Sequence, residues 1–131
     1  MTPLLSLADA RFVSLTTFRR SGERVSTPVW IGRDGDALVV LTPAGSGKAR
    51  RLRRDPRVEL APCGRFGKVE AGVVPIAGTA DVREAPADVE RARATIRATY
   101  PIESRLVLGI ERLIERLRGR PRTERLALLI T

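Results

Sequence analysis

The chain has 131 residues, room for one domain and too little for two. It carries 24 Lys and Arg against 15 Asp and Glu, a formal charge of +9, and no histidine, which excludes Ser-His and Cys-His nucleophiles and His-ligated metals. A single cysteine, Cys63, excludes an internal disulfide and a CxxC pair.

In chain order, Phe12 to Phe18 is rich in β-branched and aromatic residues and reads as a strand, with Arg20-Ser21-Gly22-Glu23 as a turn after it. Val25 to Ile31 is a second strand. Its Pro28 has no amide to donate, so that position belongs at a sheet edge, a bulge or a point where another group approaches. Arg33-Asp34-Gly35-Asp36 predicts a tight hairpin, and Leu38 to Thr42 a third strand whose continuous apolar run predicts burial on both faces. Pro43 to Gly47 is a loop. Lys48 to Arg54 is a short helix with Ser46 as N-cap, Ala49 and Leu52 as its apolar stripe, and Asp55-Pro56 as its stop. Val58 to Cys63 resumes strand, Gly64 to Gly67 turns, and Val73 to Arg83 is a long strand-like segment. Pro86 and Asp88 open a helix with Val89, Ala92 and Ile96 on one face, ended by Tyr100-Pro101. Leu106, Ile110, Leu113, Ile114 and Leu117 mark a second amphipathic helix, closed by Gly119 and Pro121. Leu126 to Thr131 predicts a final strand inside a sheet. About six strands in consecutive hairpins, with few helices, point to one domain: an antiparallel barrel with helices packed on it.

The densest chemical signal is Lys48, Arg50, Arg51, Arg53, Arg54 and Arg57, opposed only by Asp55, where a glycine-bearing loop enters a helix. Backbone amides at a helix start favour an anion, and Lys48 and Arg51, three apart, can face one side near that start. That arrangement suits a phosphate. It is not a Walker A loop, because Thr42 stands where the first glycine belongs and Ala49 replaces the Ser/Thr after the lysine. Composition leaves two other readings of the block open: a solvated basic helix face, and a small basic nucleic-acid-binding module. Against the second stands an aromatic content of 4%, too little for a base-stacking platform.

A second signal is Thr16-Thr17 with Ser26-Thr27-Pro28-Val29-Trp30. These hydroxyls can line a pocket with Trp30 as a wall, or be ordinary strand composition. Cys63 reads as a small buried hydrophobe and Tyr100 as packing at a helix end. The longest charge-free run, Ala37 to Gly47, cannot span a bilayer, and Met1 to Asp9 lack the basic flank and long apolar stretch of a signal peptide. A lone thiol fits a reducing cytoplasm.

Taken together, Phe12 to Arg20, then Ser26-Thr27-Pro28-Val29-Trp30, then Gly45 to Val58 resemble the split β-barrel flavin and deazaflavin oxidoreductases related to pyridoxamine 5′-phosphate oxidase. The "TT…TPVW" and "GKxxRLRxDPRV" pattern most resembles the branch that uses the deazaflavin coenzyme F-420. The resemblance covers Asp9 to Val82 and the terminal strand. It implies a mainly β, FMN-binding-protein-like split barrel of about six antiparallel strands. It further implies a cytoplasmic homodimer with the cofactor groove shared between subunits, and hydride transfer from reduced F-420 to a small organic acceptor. FMN binding, catalytic or not, is the alternative in the same fold. By the same resemblance Thr27, Pro28, Val29 and Trp30, continued by Leu41 and Thr42, border the ring. Ser46, Gly47, Lys48 and Arg51 hold the phosphate, and Arg50, Arg53, Arg54 or Arg57 meet the cofactor's oligoglutamyl tail. A C-terminal Arg/His segment for pyridoxal phosphate is lacking, so oxidation of pyridoxamine phosphate itself is not implied.

Overall fold

The computed structural model describes residues 3–10, 12–99 and 125–131. The helix expected over Leu106 to Leu117, and Tyr100, lie outside the described residues. A helical turn, α1 (Pro3–Ser6), runs into a 3₁₀ turn at Leu7–Asp9. Then follow β1 (Phe12–Phe18), β2 (Arg24–Val29), β3 (Gly32–Asp34), β4 (Ala37–Pro43), α2 (Gly47–Arg54), β5 (Arg57–Cys63), β6 (Ile76–Arg83), α3 (Pro86–Thr99) and β7 (Arg125–Ile130).

The strands form one antiparallel sheet in the order β2-β1-β5-β6-β7-β4-β3. Its two edge strands, β2 and β3, are consecutive in the chain and separated only by Trp30 and Ile31. The sheet therefore curls until its ends meet, and it closes through covalent continuity instead of a hydrogen-bonded ladder. This is a split barrel, with seven strands where about six were expected. The extra strand is β3, which follows the expected run Val25 to Ile31 and falls where only the hairpin turn was expected; the corner at Trp30-Ile31 ends β2 at Val29 and separates the two. Ile31 points into the barrel core, while Trp30 packs on the outer cluster. Pro28 sits on edge strand β2, as its missing amide requires.

Strand alternation divides the apolar residues into two cores. Inside the barrel lie Val13, Leu15, Leu38, Val40, Val58, Leu60, Leu128 and Ile130, with Leu52 of α2 and Leu4, Leu5 and Leu7 of the N-terminal turns. Outside, Val39 and Ala127 meet Val89, Ala92 and Ile96 of α3, with Trp30, Leu41 and Leu129 at the margin. The apolar run in β4 is thus buried on both faces, as its pattern predicts. The β3–β4 hairpin turns at Gly35, whose φ of +61° suits the first central position of a II′ turn. Arg91 clamps α3 to this hairpin with two bonds to Asp34, of 2.6 and 2.8 Å, which hold the Asp34 carboxyl below its usual range.

Candidate functional site

Helix α2 carries the cationic block, and its start is fixed from two sides. Ser46, in extended conformation, accepts a bond from the Ala49 amide at 3.2 Å. The Ser46 hydroxyl also lies 3.0 Å from that of Thr42, which is fully buried at the end of β4. Ala49 and Leu52 anchor the helix in the barrel, and Asp55 caps its end while pairing with Arg57. That pairing, mainly a hydrogen bond, holds the Asp55 carboxyl down at about 2.

The remaining face of α2 lies along the β1–β2 hairpin. Lys48 Nζ donates to Thr27 Oγ1 at 3.1 Å, Arg51 Nε to Thr17 Oγ1 at 2.7 Å, and Arg54 Nη2 to the Phe18 carbonyl at 2.7 Å. Residues 48, 51 and 54 are each three apart, so they form a row that runs from the helix start toward the hairpin tip. Beside this row opens a cleft of about 550 Å³ lined by Arg19, Arg20, Gly47, Arg50, Arg51 and Arg54.

The charge in this region is largely uncompensated. Arg53 is paired with Glu84, Arg57 with Asp55 and Arg24 with Glu59, which removes them from the cleft. Arg19 has Glu23 at 3.9 Å, in the open. Among the described residues, Arg20, Lys48, Arg50, Arg51 and Arg54 have no carboxylate at ion-pair distance. Burial, with the Arg51 charge adding to it, pushes the Lys48 ammonium below the usual lysine value. Arg51 is lowered in the same way by burial and then by Arg19 and Arg50. Like charges held together in a recess favour an incoming anion, and the amides at the start of α2 act with them.

The structure brings together several of the residues singled out from sequence. Thr27 meets Lys48, Thr42 meets Ser46, and Gly47 lines the cleft with Arg51. Val29 packs against the barrel core, and exposed Pro28 lies against Gly67 of the following loop. Trp30 and Leu41 stand apart from the arginines, on the outer cluster beneath α3. Thr16 bonds Ser26 at 2.6 Å, while Thr17 points to the opposite face, toward Arg51. Arg53 and Arg57, expected among the candidates for an anionic tail, pair with Glu84 and Asp55 and do not line the cleft. Arg19 and Arg20 do line it, although locally they are no more than two cations before a Ser-Gly turn. Cys63 has its thiol pushed up by burial, the reverse of what a nucleophile needs.

The family model described as pyridoxamine 5′-phosphate oxidase matches residues 5–123. Among solved structures, a conserved hypothetical protein, Rv2991 of Mycobacterium tuberculosis, is 21% identical at a TM-score of 0.66, over 100% of this chain and 80% of that one. A protein described as an F-420 reductase is 16% identical at a TM-score of 0.60, over 95% of this chain and 89% of that one. HutZ, a heme storage protein of Vibrio cholerae, is 11% identical at a TM-score of 0.66, over 98% of this chain and 87% of that one. At such identities the likeness is one of fold. No curated protein sequence matches the chain.

Proposed function

The chain belongs to the pyridoxamine 5′-phosphate oxidase family, and from that premise we propose that it is an oxidoreductase using the reduced deazaflavin coenzyme F-420 toward a small organic acceptor. When bound, the reduced coenzyme supplies a hydride, becoming oxidised as the acceptor is reduced, with solvent supplying the proton. The protein's task is to hold and orient that coenzyme. Lys48, Arg51 and the first amides of α2 receive the phosphate, with Ser46 and Gly47 shaping the junction. Thr27, which meets Lys48, and the exposed Pro28 beside it border the ring, and a second copy of the chain completes the groove in a cytoplasmic homodimer.

The observation that carries F-420 over FMN is the cleft lined by Arg19, Arg20, Arg50, Arg51 and Arg54. FMN offers one phosphate. F-420 continues into a chain of carboxylates, and the cleft extends the phosphate residues toward the hairpin tip with cations of which Arg19 alone has a carboxylate, Glu23 at 3.9 Å, in reach among the described residues. Its tail-binding set is accordingly Arg50 and Arg54 of the four arginines first considered, joined by Arg19 and Arg20. The heme carried by HutZ is a poorer match, since the chain has no histidine to ligate iron.

Fluorescence titration tests this reading. F-420 is expected to bind at least tenfold more tightly than FMN, and the double variant Arg50→Ala/Arg54→Ala to erase most of that difference. Equal affinity for both cofactors would favour an FMN protein, and no binding of either would end the redox assignment.

A further inference from the structure

Beyond the groups that would touch an anion, the structure shows how Arg51 is held. Helical side chains lean toward the N-terminus, so Arg51 lies over the turn that begins at Gly47. There its guanidinium has two restraints. On one edge, Nε donates to Thr17 Oγ1 at 2.7 Å, and Thr17 is fully buried in β1. On the other side, Nη1 occupies the space a side chain at Gly47 would take: a Cβ there would stand 2.7 Å from Nη1 and 3.5 Å from Cζ. Gly47 is not needed for backbone reasons, because its φ is not positive. What its missing side chain provides is room.

We infer that Thr17 and Gly47 are positioning residues that set the Arg51 guanidinium over the open amides at the start of α2 before any ligand arrives. The inference rests on the anion-binding reading of this site. The bond through Nε leaves the Nη groups for the ligand, and the cleft they face holds Arg19 and Arg50 as well. Holding a guanidinium so close to other cations is unfavourable without a restraint, and Thr17 supplies it. Less ordering then remains to be done on binding.

The variants separate positioning from folding. Thr17→Val keeps the shape of a buried strand residue and deletes the acceptor, while Thr17→Ser keeps the hydroxyl. Gly47→Ala leaves the backbone unstrained and displaces only the flexible end of Arg51. In labelled protein without ligand, the Arg51 Nε–H resonance should be protected from exchange in the wild type and in Thr17→Ser, and exposed in Thr17→Val. Affinity for inorganic pyrophosphate, measured calorimetrically, should fall about tenfold in Thr17→Val and Gly47→Ala. Introduced into Arg51→Ala, the same two substitutions should change it less than about twofold. Unchanged affinity in Thr17→Val, or an equal loss with and without Arg51, would overturn the positioning role and leave the proposed function standing. A wild type that binds neither pyrophosphate nor F-420 would overturn both.

Discussion

Lys48 shows how a residue can serve binding at some expense to the fold. Its ammonium is half-buried beside Arg51, and burial lowers its pKa below the free value of 10.5. Between the folded and unfolded values the unfolded chain binds the extra proton, so stability rises with pH across that window, and at neutral pH the charge opposes folding. Lys48→Met, which keeps the apolar stem, should leave the melting temperature unchanged or higher. It should also weaken F-420 binding by about 10- to 100-fold, the loss of a charge-assisted hydrogen bond. A melting temperature lowered by several degrees would contradict the electrostatic argument. In the wild type, affinity should fall as pH rises through the lowered Lys48 pKa, because the anion needs the protonated form. The Lys48→Met titration should lack that step.

At the scale of elements, α2 is an eight-residue helix whose position depends on its ends. An isolated helix of this length is unstable in water, so Ala49, Leu52 and the Ser46 cap must hold it against the barrel. Ser46→Ala removes the cap and the partner of the buried Thr42 hydroxyl. It should cost about 0.5–2 kcal/mol, read as a lower urea midpoint with an unchanged m-value. A change in m would mean that α2 had detached, not merely lost its cap. This element was legible in the sequence because cap, stripe and Asp-Pro stop are all local. The apolar face of α3 was legible for the same reason, through Val89, Ala92 and Ile96. The N-terminal turns were not, since Leu4, Leu5 and Leu7 fill the barrel without a repeating pattern long enough to read.

At the scale of the whole molecule, the features hidden in the sequence are those made by distant segments. A run of β-branched residues shows a strand but not which neighbour it pairs with, so the corner at Trp30-Ile31 and the seventh strand appear only with the closed sheet. The arginine cleft joins residues 19–20 to residues 47–54 across the hairpin, and no local spacing encodes that approach. The division of the basic block is equally a matter of tertiary structure. Glu84 and Asp55 withdraw Arg53 and Arg57, and what remains is a directed patch within a general charge of +9.

That distinction between a directed patch and a general charge is the point on which the account stands. Arg83 is exposed, pairs with Asp81 and lies outside the cleft, so Arg83→Ala removes one unit of charge without touching the patch. Fluorescence titration of F-420 into the wild type, Arg51→Ala and Arg83→Ala at one fixed ionic strength is the most direct test. We expect affinity to fall at least tenfold in Arg51→Ala and to change less than about twofold in Arg83→Ala. Equal losses in the two variants would mean that diffuse charge attracts the cofactor, and that no defined anion site exists where α2 meets the hairpin.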